Sequence, residues 1–180
     1  MKKIAYSGVP GCFAHMAARQ LYADELYVAF EDFGAAYDAV VSGGCDLAVL
    51  PIRNSYAGDV ADVSDLLARE ELRVVKTYDM PIVQNLLGIR GSRPGDIKTV
   101  ISQQKALEQC DEYIKAHGYR IRTSTNTAVA AKEVIEGCNM SVAAIGSLET
   151  AATYGLKVLD EKINSRDDNI TTFAVVEKCD

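Results

Sequence analysis

Serine, threonine, asparagine and glutamine side chains collect at a few places along this chain, each just after an apolar, strand-forming run. The segments are Ser7–Gly11, Pro51–Gly58, Ser102–Lys105, Ser124–Thr127 and Ser147. Hydroxyls and amides of this kind, together with the N–H groups of the helices that follow, bind anions at modest cost. Arg53 and Lys105 add fixed positive charge to two of the segments. The set suits a small carboxylate-bearing ligand, held for catalysis or for binding alone. Patterns for other chemistries are missing. The two histidines, His15 and His117, fall inside helical stretches and build no Ser-His-Asp set. The five cysteines (Cys12, Cys45, Cys110, Cys138 and Cys179) are scattered, odd in number and form no CxxC pair. That spacing predicts a reduced protein with no zinc constellation, and neither a metal nor an organic cofactor is expected. Cys12 stands at a helix start, where a thiolate is favoured, but without a second activating group it reads as a packing residue. Gly8-Val9-Pro10-Gly11 has the shape of an anion-binding turn, yet it is neither GxGxxG nor a P-loop, and a plain tight turn is the simpler reading.

These polar segments need a scaffold, and the composition allows one. Of the 180 residues 48% are hydrophobic and 24% charged, which excludes disorder and is enough for one large domain or two small lobes. Nineteen Lys and Arg against 25 Asp and Glu leave −6 with no basic run, so a nucleic-acid partner is not expected. No stretch reaches the ~18 apolar residues of a membrane span, and no membrane association is expected. The N-terminus turns polar too soon for a signal peptide, which with the free cysteines predicts a cytoplasmic protein.

Periodicity predicts strands at Lys3–Ser7, Glu25–Phe30, Leu47–Ile52, Leu72–Thr77, Thr99–Ser102, Tyr119–Ser124, Val142–Ile145 and Thr171–Val176, with Met80–Ile89 extended. Helices are predicted over Phe13–Tyr22, Phe33–Ser42, Asp59–Arg69, Gln104–His117, Thr127–Glu136 and Ser147–Tyr154, the last capped by Ser147. Such β-α alternation favours parallel sheets flanked by helices, with ligands beyond the carboxyl ends of the strands. The pattern restarts after Thr77, so two α/β lobes with a cleft between them are expected: residues 1–78, 79–158, and a return to the first lobe over 159–180.

At the same positions the chain resembles the prephenate dehydratase family. Ile4–Phe13 (IAYSGVPGCF) is similar to its opening glycine-proline turn, and Asp46–Gly58 (DLAVLPIRNSYAG) to its PIENS-x-x-G segment. Pro81–Gly88 (PIVQNLLG) and Val100–Cys110 (VISQQKALEQC) correspond to its PI…LL and SHPQAL-x-QC stretches. Thr125–Ala131, Ala143–Leu156 and Asn169–Phe173 (NITTF) complete the order, the last standing where the family has N-x-TRF. The resemblance implies a fold like type II periplasmic binding proteins, and conversion of prephenate to phenylpyruvate with loss of water and carbon dioxide. It carries the catalytic roles onto Thr171, Asn54 and Gln109. Substrate contacts fall to Ser55, Ser102 and Thr127, with Arg53, Lys105 and Thr172 at positions where the residue type departs from the family. The family's chains usually continue into a phenylalanine-binding ACT domain, and many are fused to a chorismate mutase. This chain stops soon after NITTF, so no ACT domain is expected. A small dicarboxylate is the implied partner, and a homodimer the assembly the resemblance allows.

The departures concentrate at the site. The family's Glu of ENS is Arg53, its His-Pro-Gln after the Ser is Gln103-Gln104-Lys105, and the Arg of TRF is Thr172. The charged changes sum to a more positive cleft than the family's, with Arg53 expected to supply a cation vacated at Thr172. Two readings follow: a prephenate dehydratase with Thr171 as the key donor, or a diverged, even non-catalytic, anion-binding module of the same fold.

Overall fold

A computed structural model describes residues 1–179. The chain divides into two compact units, the first holding residues 1–9, 13–82 and 168–179, the second 10–12 and 83–167. The return to the first unit therefore begins at Asp168, not at 159, and the first crossing falls after Ile82 rather than at 78. The reason is a strand that the polar composition of Lys157–Asp160 concealed and that keeps this stretch in the second unit.

The first unit carries β1 (Lys3–Ser7), α1 (Phe13–Leu21), β2 (Leu26–Phe30), α2 (Phe33–Val41), β3 (Leu47–Asn54), β4 (Gly58–Asp59), α3 (Ala61–Leu67) and β5 (Leu72–Pro81). The second carries β6 (Asn85–Gly88), β7 (Thr99–Gln103), α4 (Gln104–Gln109), α5 (Asp111–His117), β8 (Arg120–Ser124), α6 (Thr127–Gly137), β9 (Val142–Gly146), α7 (Leu148–Tyr154) and β10 (Lys157–Asp160). The chain closes in the first unit with β11 (Ile170–Lys178).

Both sheets are mixed, not purely parallel. The first runs β2-β1-β3-β11-β5, with β4 added to the end of β3. β1 lies parallel to β2 and β3, whereas β11 enters antiparallel to β3 and to β5. The second runs β10-β6-β9-β7-β8, with β7 parallel to β8 and β9, and β6 antiparallel to β9 and β10. Alternation of strands and helices reports the parallel βαβ part of each sheet. It is silent about strands that arrive from elsewhere in the chain.

Leu47–Leu50 is an unbroken apolar run because β3 is central and its residues are almost wholly buried. It packs with Ala36, Tyr37 and Val40 of α2, Val63 and Leu66 of α3, and Ala174 and Val176 of β11. The side-chain oxygen of Asp32 starts α2 by accepting from Ala35 N at 2.7 Å. The second unit has apolar clusters on each side of its sheet, one with Leu107, Cys110 and Ile114, the other with Ala130, Ala131 and Val134. The helix expected over 104–117 is two helices, broken at Cys110. Ser165 explains the break: its N–H donates to Gln109 O at 2.7 Å, and its hydroxyl accepts from Glu112 N at 3.2 Å.

Candidate active site

In the first unit the polar ends of β3 and β11 meet. β11 pairs Ala174 with Leu50 and Phe173 with Pro51, but then Thr172 with Arg53 and Thr171 with Asn54. Ile52 is the extra residue of a bulge, and it shifts everything beyond it by one position. In a regular ladder Thr171 would face Arg53. The bulge puts Asn54 there instead.

The side chain of Asn54 is then pinned at both ends. Its Oδ1 accepts from Tyr56 N and Ala57 N, both at 3.1 Å, which holds the turn after β3. Those two backbone donors decide which end of the amide is oxygen. Nδ2 therefore faces β11, donating to Asn169 Oδ1 at 2.9 Å, Thr171 Oγ1 at 3.0 Å and Ile170 O at 3.2 Å. Ser55 closes the same junction. Its hydroxyl donates to Asp168 O at 3.1 Å and accepts from Ile170 N at 3.0 Å, while its own N–H donates to Ile170 O. The hydroxyl proton of Ser55 thus goes to a backbone carbonyl. Tyr56 adds a phenol hydrogen bond to Asp168.

Arg53 and Thr172 are brought together too, but on the other face of the sheet. Successive strand residues alternate, so the direct pair Arg53–Thr172 points away from the pair Asn54–Thr171. On that face β4 sets Asp59 beside Arg53, and β5 sets Asp79 beside Thr172. Thr172 Oγ1 donates to Asp79 Oδ1 at 2.6 Å. Arg53 Nε lies 3.8 Å from Asp59 Oδ1, with both side chains more than two-thirds exposed. Arg53 and Thr172 thus face each other, as the expected transfer of a cation from one position to the other requires, and strand parity sends both side chains to the face opposite Asn54 and Thr171.

In the second unit the expected residues are placed singly. Ser102, on β7, is fully buried and donates to Ile145 O of β9 at 2.7 Å, so its hydroxyl ties two strands. Gln109 ends α4, and its Oε1 accepts from Nε2 of the buried Gln84 at 3.3 Å. Thr127 is the buried first residue of α6, whose N-cap Asn126 accepts from Val129 N at 2.8 Å. Lys105 is exposed on the first turn of α4. The opening turn proves to be a packing device. Gly11, at φ +88°, is buried, and its carbonyl accepts from Thr150 Oγ1, while Pro10 O accepts from Tyr154 OH. Ser147 caps α7 as expected, accepting from Thr150 N at 3.0 Å.

Burial pushes the Cys110 thiol up to about 12, which suits an inert core residue. Burial and the neighbouring Asp160 likewise raise the Tyr113 phenol. Among the described residues, no group of three or more His, Cys, Asp or Glu side chains is gathered to hold a metal ion.

Residues 4–180 match the family model for prephenate dehydratase. The chain belongs to the prephenate dehydratase family. Arogenate dehydratase/prephenate dehydratase 1 of Arabidopsis thaliana is 35% identical over 176 residues, 98% of this chain and 45% of its own. Among solved structures, a prephenate dehydratase from Arthrobacter aurescens in complex with L-Phe superposes at TM-score 0.91 and 29% identity, covering 99% of this chain and 61% of that one. GqqA, described as a novel type of quorum quenching acylase, superposes at TM-score 0.90 and 29% identity, over 99% of this chain and 65% of that one. The ligand-binding component of an importer from Staphylococcus aureus, at TM-score 0.53 and 14% identity, shares the fold alone, covering 98% of this chain and 65% of that one. That likeness fits the periplasmic-binding-protein type of fold expected from the sequence. The chain spans about half the length of the curated relatives it matches.

Within this family member, the residue that sequence reasoning passed over is Asn169. It is only 2% exposed and belongs to the same hydrogen-bonded group as Asn54 and Thr171. A period of two places 169 and 171 on one face of an extended chain. That signal was available, but it needed the Asn54 partner across the sheet to give it meaning.

Proposed function

We propose that this domain converts prephenate to phenylpyruvate, water and carbon dioxide, with Thr171 as the donor to the departing hydroxyl. The observation that carries the reading is the Asn54 Nδ2 to Thr171 Oγ1 hydrogen bond. By accepting from Asn54, the threonine oxygen keeps its own proton for another acceptor. Aromatisation of the ring supplies the driving force. The carboxylate on the ring carbon leaves as carbon dioxide, its bonding pair enters the ring, and the ring C–O bond breaks with the pair going to oxygen. Negative charge grows on that oxygen, so a fixed donor binds the transition state better than the ground state. A threonine hydroxyl is too weak an acid to lose its proton outright; it donates a positioned hydrogen bond and relays the solvent proton that completes the water. In the second unit, Gln109, held by Gln84, and Lys105 are of the polar and cationic types that suit a carboxylate-bearing ligand, and Thr127 presents a helix start. The names of the relatives support prephenate or its amino counterpart, arogenate, as the substrate class.

The test is incubation with prephenate, following phenylpyruvate by ultraviolet absorbance, with arogenate as a parallel arm. Removing a single transition-state donor costs about 10²–10³ in kcat, so Thr171→Ala is expected to lose that much while Thr171→Ser keeps most of the rate. Thermal stabilisation by prephenate without product would instead support the binding-only module.

A further inference from the structure

We infer that Asn169 is a positioning residue for the reaction proposed above: its side-chain oxygen holds the Asn54 amide in the orientation that presents Nδ2 to Thr171. The inference rests on that proposed function for its kinetic half and on geometry alone for the other. Asn54 Oδ1 is committed to Tyr56 N and Ala57 N, so its Nδ2 must find acceptors toward β11. Of the acceptors there, Asn169 Oδ1 is the nearest, at 2.9 Å, against 3.0 Å for Thr171 Oγ1 and 3.2 Å for Ile170 O.

The second observation is a cost. Asn169 is 2% exposed, and its own Nδ2 is buried with no hydrogen-bond partner. Burying an amide N–H without a partner is unfavourable. Turning the amide over would not relieve it, because Nδ2 would then face Nδ2 of Asn54, donor against donor. Asn169 is thus held in an arrangement that suits Asn54 better than itself. Backbone bonds keep the segment in place: Ile82 N donates to Asn169 O at 2.8 Å, and Ser55 N to Ile170 O at 2.9 Å. A side chain fixed in this way acts on Thr171 through Asn54 without needing to touch substrate.

The experiment is a double-mutant cycle of Asn169→Ala with Asn54→Ala, read in kcat and KM for prephenate and by thermal melting. A group displaced from its productive geometry costs on the order of 10²-fold, so Asn169→Ala is expected to lower kcat about 10²-fold with KM changed less than about threefold. Its Tm should stay within about 4 °C of the parent, because the orphaned donor leaves with the side chain. In the Asn54→Ala background the same substitution should change kcat less than about twofold, because the group it positions is gone. Independent losses that multiply in the double variant overturn the inference, as does a single variant with parental kcat. A third readout does not need turnover. In the ¹H–¹⁵N spectrum, the Asn54 side-chain amide pair, identified by its loss in Asn54→Ala, should move in Asn169→Ala while the backbone pattern is kept. If the parent turns over neither prephenate nor arogenate, the proposed function falls, and the Asn54 amide signal alone decides the positioning role: movement supports it and an unmoved signal refutes it.

Discussion

The two units of this chain hold their polar residues in different ways. In the first, Asn54, Ser55, Asn169 and Thr171 are bonded to one another or to one short stretch of backbone, so moving any of them disturbs the rest. In the second, Ser102, Gln109 and Thr127 sit in separate local arrangements: a strand-to-strand tie, a glutamine pair and a helix start. A coupled group can hold a hydroxyl at one geometry, which transition-state stabilisation requires. On the proposed function the chemical step belongs to the first unit, while the polar residues of the second hold their own scaffold. The difference predicts coupled, large kinetic effects in the first unit and mainly additive, structural effects in the second.

Asn54→Asp should give the largest effect, because it splits the two jobs of one side chain. The carboxylate still accepts from Tyr56 N and Ala57 N, so the turn survives. Its other oxygen replaces Nδ2 and now draws the Thr171 proton toward itself, away from the leaving group. The same oxygen faces Asn169 Oδ1 and Ile170 O, so Tm should fall too, and the expected loss of about 10²–10³ in kcat is read at a temperature where the variant is folded. Parental turnover in this variant would break the comparison at its strongest point.

Ser102→Ala tests the other side. The fully buried hydroxyl bonds to Ile145 O, and losing a buried hydrogen bond costs about 1–3 kcal/mol. At roughly 2–4 °C per kcal/mol for a chain of this size, Tm should fall by about 2–12 °C. At a temperature where the variant is folded, kcat and KM should stay within about threefold, as expected of a change outside the reacting groups. An unchanged Tm with KM raised tenfold would make Ser102 a substrate contact instead.

Cys110 gives the second unit a smaller, pH-dependent signature. Burial raises its thiol to about 12 in the folded chain, against about 8.5 when unfolded. Between those values the unfolded state has released a proton that the folded state keeps. Stability from this group is therefore complete below pH ~8.5 and is lost as pH rises toward about 12. Cys110→Ala should flatten the alkaline decline in Tm. An equal decline in both proteins would place its cause elsewhere.

Much of the scaffold was legible because it is local. The buried run at Leu47–Leu50, the capping Ser147 and Gly118 at φ +64° after α5 each announce themselves within a few residues. The candidate site was legible only as a list. Asn54 and Thr171 could be named from segment likeness, but their meeting depends on the bulge at Ile52, which no pattern in β3 reveals. The face that position 53 takes depends on the same bulge. One extra residue in a ladder exchanges the faces of everything after it, and residues counted as one pocket become two faces. The helix break at Cys110 was equally hidden, since the residue that causes it, Ser165, lies far along the chain.

The smallest expected effect is at Arg53, and it is informative because the charge arithmetic pointed the other way. If Arg53 bound a substrate carboxylate, Arg53→Ala would remove a charged hydrogen bond and raise KM by about 10-fold or more. The register puts its side chain on the face away from Thr171, 3.8 Å from an exposed Asp59. An exposed pair of that kind contributes about 0–1 kcal/mol, less as salt is added. Arg53→Ala should therefore leave kcat and KM within about twofold and move Tm by no more than about 4 °C. The same parity makes the exchange Arg53→Glu with Thr172→Arg a change on that face alone. It would set a glutamate beside Asp59, an arginine beside Asp79 and the two new side chains opposite each other, one repulsive contact and two attractive, with no new charge on the Asn54 face. A large gain in turnover from that double variant would mean that the two faces communicate through β3 and β11. The division of labour drawn above would then have to include both sides of the sheet.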